Sequence, residues 1–296
     1  MNYIITGSLG NISKPVVQKL KSAGHTVTVI TSNSGKSKDI EALGAIPAVG
    51  SVEDVGFLKR AFAGAQAAYL MIPPNMNLTG RWADYQKKVI VGYMDAVKAN
   101  GISHVVFLSS IGAHLGKGAG PIDGLSVAEW HLNQLKNLNL KIVRPSYFYN
   151  NLMGMIPMIK HMNVMGSNFG SSNEKLILTH TTDIADVVAA ELLALKFKGH
   201  SIRYVASDER HPKEIAEILG KAVGKPGIPW MEFKNEDALN GMLQGGLNKE
   251  VANGYLEMGI AFKNGTIQAD YWKNKPALGK VKLESFAKEF VAVYNS

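Results

Sequence analysis

The sequence contains no cysteine. Disulfide staples, thiolate metal sites and a cysteine nucleophile are therefore excluded. It also lacks a long apolar run: no stretch approaches the roughly 20 apolar residues of a membrane span. The opening Met-Asn-Tyr-Ile-Ile-Thr-Gly has neither the basic start nor the apolar length of a signal peptide. The expectation is a cytoplasmic protein with no membrane attachment. His-x-x-x-His, zinc spacings and Glu-rich helix faces are missing, so no metal site is expected. A Gly-x-Ser-x-Gly nucleophile elbow is missing too, which argues against hydrolysis. Positive charge is in excess, with 32 Lys and Arg against 24 Asp and Glu and a net +8. The lysines are scattered (Lys36 and Lys38, Lys87 and Lys88, Lys273 and Lys275, Lys280 and Lys282) and are not interleaved with aromatics. They read as a solvated surface, with no nucleic-acid partner expected. Internal repeats and low-complexity segments are absent.

What is present is a chain of 296 residues, 46% hydrophobic, long enough for one large α/β unit or for a domain plus a smaller lobe. Strand-like runs alternate with helix-like stretches through the first half. Tyr3 to Thr6, Thr26 to Ile30, Ala45 to Val49, Ala67 to Ile72, His104 to Leu108 and Lys141 to Val143 are short and mostly continuously apolar. That is the mark of parallel strands covered on both faces. Between them, Val16, Val17, Leu20 and Ala23 share one helical face, as do Trp82, Tyr85, Val89, Tyr93 and Val97. The reading is a doubly wound parallel Rossmann sheet with a smaller C-terminal α/β lobe. Residues 1–150 form the dinucleotide-binding domain. Residues 151–296 are mainly a substrate lobe, with a segment near 176–207 returning to the sheet. His211-Pro212 has the form of a helix cap followed by a first-turn proline.

The first strand runs into Gly7-Ser8-Leu9-Gly10-Asn11-Ile12-Ser13 and then a helix with Pro15 in its first turn. Glycines at this place allow a sharp turn and let backbone N–H groups approach a pyrophosphate, which the helix N-terminus then faces. A strand-to-helix position makes this motif more specific than a lone glycine pattern. The end of the second strand selects the dinucleotide. NAD sites place an acid there for the ribose 2′-hydroxyl; here Thr31-Ser32-Asn33-Ser34-Gly35-Lys36 contains none. Ser32, Asn33 and Lys36 can instead meet a 2′-phosphate, so NADP(H) is favoured over NAD(H). Ser109 and Ser110 leave the C-terminal end of the fifth strand, where open α/β sheets bind ligands.

The ordered set Thr6-Gly7-Ser8-Leu9-Gly10-Asn11-Ile12, Ile72-Pro73-Pro74-Asn75, Leu108-Ser109-Ser110-Ile111-Gly112, Glu129, Arg144-Pro145-Ser146-Tyr147-Phe148-Tyr149-Asn150-Asn151 and Thr182-Asp183-Ile184-Ala185 resembles the NmrA-like branch of the atypical short-chain dehydrogenases/reductases. The similarity covers nearly the whole chain and is strongest over residues 1–205. The resemblance implies an extended Rossmann fold with a small C-terminal lobe. It implies cofactor contacts from the glycine loop, the end of strand two, Ile72, Pro73 and Pro74, and the segment with Pro145, Tyr147 and Phe148; Ser51 and the Val52 backbone, after strand three, can contact the adenine ring more weakly than the family's acid. It also implies either NAD(P)H-dependent reduction of quinones or other aromatic small molecules, or redox sensing with little catalysis. The family often carries Arg near Ser32 and Asp at the exit of strand three, where this chain has Gly50-Ser51-Val52.

Short-chain dehydrogenases usually pair Tyr with Lys four residues on, the lysine lowering the phenol pKa. The helix expected to hold that pair, Asp123 to Leu138, has no tyrosine. Tyr271 and Lys275 have the spacing but sit far along the chain with Pro276 behind them, so their spacing is read as chance. His114 and His131 are weighed as proton donors and read as surface or structural residues. Glu129 and Arg144 are read as a structural pair, and Asp183 as charging a helix start. Tyr147, Phe148 and Tyr149 have two open readings, beside the nicotinamide or an aromatic substrate, or in the core. No catalytic residue is assigned. Two functions stay open: an NADPH-dependent reductase of a quinone or similar conjugated carbonyl, and a non-catalytic NADP(H)-binding redox sensor.

Overall fold

The computed structural model describes residues 1–78, 80–170 and 174–296. The chain begins with β1 (Asn2–Ile5), α1 (Ser13–Ser22), β2 (Thr26–Thr31), α2 (Ser37–Ala42), β3 (Ile46–Val49), α3 (Val55–Ala61), β4 (Ala67–Leu70), α4 (Trp82–Ala99), β5 (His104–Leu108), α5 (Asp123–Leu132) and β6 (Asn139–Pro145). There follow β7 (Tyr147–Phe148), α6 (Ile156–Met162), β8 (Met165–Ser167), β9 (Leu176–Thr179), α7 (Thr181–Ala194), β10 (His200–Val205), β11 (Asp208–Arg210), α8 (Pro212–Ala222) and β12 (Trp230–Glu232). The last helices are α9 (Asn235–Gln244), α10 (Lys249–Lys263), α11 (Ala269–Lys273) and α12 (Leu283–Tyr294).

Seven strands form one sheet in the order β10-β6-β5-β4-β1-β2-β3, and every pairing in it is parallel. The physical cause is visible in the strands' composition: β4 and nearly all of β1 and β5 are buried on both faces, as continuous apolar runs require. Alternate residues serve opposite cores. Ile5, Val29, Tyr69 and Val106 pack with Val16, Val17 and Leu20 of α1 and Ile184 and Val188 of α7. Ile4, Ala68, Val105 and Phe107 pack with Leu58 of α3, Val89 and Tyr93 of α4 and Ala128 and Leu132 of α5. The doubly wound parallel α/β architecture read from the sequence is the architecture observed.

Within 176–207, α7 and β10 lie on the large sheet, α7 against α1 and β10 beside β6. Leu176–Thr179 does not. As β9 it pairs with β7, which precedes it, and with β11, which follows it, in a separate small sheet. A third core, with Ile159, Leu178, Ile215, Leu219, Phe286 and Phe290, holds that part together. Helix α5 ends at Leu132 rather than near Leu138. Turns close at Gln134 and Leu135, whose N–H groups donate to His131 and Leu132. Helix α8 begins as read: His211 caps it, its N–H donating to Glu214 Oε2 at 2.7 Å, with Pro212 in the first turn. No helix among the described residues is long and apolar enough to cross a membrane.

Candidate functional site

The chain leaves β1 toward β2 and β3 on one side and later fills β4, β5 and β6 on the other. This reversal at β1 and β4 opens a crevice at the C-terminal ends of the strands, the place where such sheets take ligands. A cleft of about 600 Å³ lies there. Gly7, Ser8, Gly10, Asn11, Ile12 and Ser13 form one wall, and Thr31 and Ser32 follow from β2. Ser51, Val52 and Glu53 come from the exit of β3, Tyr69 from β4, Met71, Pro73, Pro74 and Asn75 from the segment that follows it, and Tyr85 from α4. Leu108, Phe148 and Thr181 close the far end.

The loop geometry has specific causes. Gly7 has φ +86°, and a Cβ there would stand 2.7 Å from Ser13 Oγ and 3.0 Å from Met71. Ser13 is buried and its Oγ donates to Thr6 O at 2.9 Å, binding the helix start to β1. Ser8 also adopts positive φ, at 53°, with its N–H donating to Ile30 O at 3.1 Å. Gly10 is exposed and its backbone is ordinary. An added Cβ would meet only Gly7 O, at 3.2 Å, and otherwise open space. Helix α1 has no side-chain cap and no acid in its first turn. Its leading N–H groups and the positive end of its dipole are thus left for an anion. The hydroxyl of Tyr69, on the same cleft, is buried without a hydrogen-bond partner. An open glycine cradle, an uncapped helix start and an unpaired donor fit a pyrophosphate-bearing dinucleotide.

Not every residue expected at the site lies on this cleft. Leu9 packs half-buried against the α1 core, and Ile72 belongs to the core under α4. Pro145 is buried in β6, where its carbonyl accepts from Ile111 N at 2.7 Å. Asn33 is exposed, but its Oδ1 already accepts from Gly35 N at 2.9 Å, fixing the turn after β2. Lys36 reaches Asp39 at 3.5 Å on the surface. Ser109 is buried, and its Oγ donates to Glu129 Oε1 at 2.5 Å. Among the described residues, Glu53 is the one carboxylate or cation on the cleft wall; it pairs with Lys88 at 2.8 Å.

Ser110 and Tyr147 face a second, smaller chamber of about 200 Å³. Ile111, Ile122, Met258 and Phe262 make its walls, and Asn151 adds an amide. Phe148 lines both this chamber and the dinucleotide-sized cleft. Tyr147 sits edge-on to Phe262, with ring centroids 5.7 Å apart. Tyr149 is instead a core residue, stacked on Phe286. Asn248 Nδ2 donates to the carbonyls of Met76 and Leu78, tying the strand-four loop at the cleft to α10, which carries Met258 and Phe262.

The residues weighed for catalysis fall elsewhere. Tyr271 and Lys275 both reach Glu209, at 2.7 and 2.8 Å, away from cleft and chamber. Burial and that carboxylate push the Tyr271 phenol up, the reverse of what a proton-exchanging tyrosine needs. His114 is shifted down by burial, with further opposing contributions from nearby charges; His131 is also shifted down by burial. Neither lines the cleft or the chamber. Asp183 lies in the first turn of α7, where it charges the helix start as read, and it does more. It is buried and accepts from Ser207 Oγ, Lys280 N and Val281 N, clasping the chain that precedes α12. His180 is the cap of α7, accepting from Thr182 N at 3.1 Å.

The sequence pattern of the NmrA-like family matches residues 2–227. The chain belongs to the NmrA-like family. A curated relative, an NAD(P)H azoreductase of Xenophilus azovorans, is 21% identical over 263 residues, 86% of this chain and 85% of its own. The crystal structure of an NADPH-dependent quinone oxidoreductase of Escherichia coli, complexed with NADPH, has a TM-score of 0.80 at 18% identity, covering 97% of this chain and 99% of its own. That of a triphenylmethane reductase of Citrobacter sp., complexed with NADP(H), has a TM-score of 0.78 at 16% identity, with 97% and 99% covered. This NmrA-like chain therefore shares their fold from end to end.

Several site residues had no local signal. Tyr69 lies in a strand that reads as core, and Tyr85 shares the core-facing stripe of α4. Met258 and Phe262 lie more than a hundred positions from Ser110 in the sequence and reach the chamber only because α10 folds back over the short 3-10 turn Gly120–Ile122. The order of Tyr147 and Phe148 was legible, but not that alternation sends one to the chamber and leaves the other between the two cavities.

Proposed function

We propose that this protein is an NAD(P)H-dependent reductase of a planar conjugated carbonyl, a quinone or a compound like it. The observation that supports this most is the adjacency at Phe148. An apolar, aromatic-walled chamber opens beside a cleft whose glycine loop suits a pyrophosphate. A nicotinamide dinucleotide supplies a hydride when bound. The protein's part is to position and desolvate. Gly7, Gly10 and the start of α1 hold the phosphates, and Pro73, Pro74 and Phe148 confine the dinucleotide. Tyr147, Met258 and Phe262 hold a flat acceptor. Ser110 offers a hydroxyl to its carbonyl oxygen, and water supplies the proton that completes the hydroquinone. No Tyr–Lys pair is needed, because a quinone accepts hydride without acid activation. The test is loss of NADPH absorbance with a panel of quinones, where turnover above the rate without protein is expected. Binding of NADPH with no turnover on any acceptor would overturn the reductase and leave a cofactor-binding sensor. One observation favours that second reading: Ser109, at the end of β5, is taken up by Glu129 and offers no free hydroxyl to a substrate.

We further propose a preference for NADPH over NADH through Ser32 and Lys36. Asn33 is dropped from this set because its side chain is engaged with Gly35. The Lys36–Asp39 pair is exposed on both sides, so it holds Lys36 weakly and leaves it able to turn to a 2′-phosphate. A charge-assisted hydrogen bond at an exposed site supports a preference of about tenfold. Lys36→Ala is expected to weaken NADPH binding by about that factor and leave NADH unchanged, and the preference should shrink as salt rises. Equal binding of the two dinucleotides to the unmodified protein at low salt would contradict this assignment.

A further inference from the structure

Among the described residues, six tyrosines are buried: Tyr3, Tyr69, Tyr93, Tyr149, Tyr204 and Tyr271. Five of their hydroxyls have protein partners. Tyr3 donates to Leu192 O, Tyr93 to Met71 O, Tyr149 to Val281 O, Tyr204 to Asp270 and Tyr271 to Glu209. Tyr69 has none. A buried hydroxyl left unpaired is destabilising, and native proteins seldom tolerate one without a reason. Phenylalanine would fill the same space without that penalty. Position supplies the reason. Tyr69 is in β4 at the strand-order reversal, and its side chain points to the same face as α1. It lines the cleft together with Ser13, Leu108 and Phe148.

We propose that the Tyr69 hydroxyl is a binding group for the dinucleotide, donating a hydrogen bond to one of its oxygen atoms from the floor of the cleft. The proposal rests on the dinucleotide reading of the cleft. Two neighbouring hydroxyls, those of Thr6 and Ser13, are already committed to backbone groups. Thr6 Oγ1 already accepts from Met71 N and lies against the Tyr69 and Met71 carbonyls, and Ser13 Oγ is committed to Thr6 O. Burial pushes the Tyr69 phenol well above its ordinary range, which keeps it a neutral donor throughout physiological pH.

The test is Tyr69→Phe, read by titration with NADPH and NADH and by thermal melting with and without dinucleotide. Without dinucleotide, the variant is expected to melt at or above the temperature of the unmodified protein, since it loses only an unpaired group. Its dissociation constant should rise about tenfold, the scale of one hydrogen bond to a charged or strongly polar acceptor. Equal affinity of the two proteins would overturn the proposal and leave the dinucleotide reading standing. A lower melting temperature of the free variant would overturn it too, by showing that the hydroxyl is structural. If the unmodified protein binds neither dinucleotide, the cleft reading itself falls and this inference with it.

Discussion

Gly10→Val is expected to lower dinucleotide affinity at least a hundredfold while the protein stays folded. The reasons are local. Gly10 does not need the left-handed backbone that only glycine adopts freely. Its added Cβ touches one carbonyl at 3.2 Å and otherwise projects into the open cleft. The two methyl groups of valine would then occupy the space over the start of α1, where a pyrophosphate must come within hydrogen-bonding distance of backbone N–H groups. Losing two such contacts to charged oxygens, at about 1.5 to 3 kcal/mol each, accounts for the factor. Calorimetric titration with NADPH and a melting curve decide it; a folded variant with undiminished affinity would show that the loop is only a turn. Gly7→Val is a poorer test, although the sequence presents both glycines alike. Its φ of +86° and the 2.7 Å approach to Ser13 Oγ mean that valine there would disturb the loop itself, so stability and affinity would fall together.

Arg144→Ala should cause the largest loss of stability of any single change discussed here, about 3 to 5 kcal/mol, seen as a melting temperature lower by on the order of 10 °C. Arg144 lies against both oxygens of Glu129, at 2.9 and 2.5 Å, and also meets Tyr204 and Asp270. The side chains of Arg144 and Glu129 are only 6% and 7% exposed. Removing the guanidinium strands a buried carboxylate that joins α5 to β6 and, through Ser109, to β5. Lysine is not expected to rescue it, because a single ammonium cannot match the two-pronged geometry. Replacing both partners with apolar residues, Glu129→Leu with Arg144→Met, should recover part of the loss, since the buried Glu129 charge is no longer stranded, while the partly exposed Asp270 still loses Arg144 and Ser109 its acceptor. A melting temperature within about 2 °C of the unmodified protein would show that Arg144→Ala leaves nothing buried uncompensated.

Helix α5, expected to bear the Tyr–Lys pair, has no tyrosine, and that absence is legible in the sequence. Only the packing of β5, β6 and α5 shows that Glu129, one of its buried residues, takes up Ser109 as well as Arg144. Ser109 and Ser110 are adjacent, yet one is sealed in an ion-pair network and the other faces a chamber, because neighbouring residues leaving a strand point in opposite directions.

What the sequence by itself determined is everything set by local chemistry and short-range period. Continuous apolar runs specified parallel strands buried on both faces, the glycine spacing after β1 specified the turn into α1, and His211-Pro212 specified the start of α8. These features depend on backbone sterics and on hydrophobic burial within one element, so neighbours in sequence suffice to reveal them. The tertiary structure alone decided which groups were spent and which were free. Asn33 and Ser109 looked available and are engaged, while Tyr69 looked like core and keeps an unpaired hydroxyl. Asp183 is the helix charge it looked like and also holds the approach to α12, and Leu176–Thr179 left the large sheet for a small one. The reason is physical: a side chain's hydrogen bonds and burial depend on what the fold brings within about 3 Å, and in this protein those partners lie as many as 189 positions away.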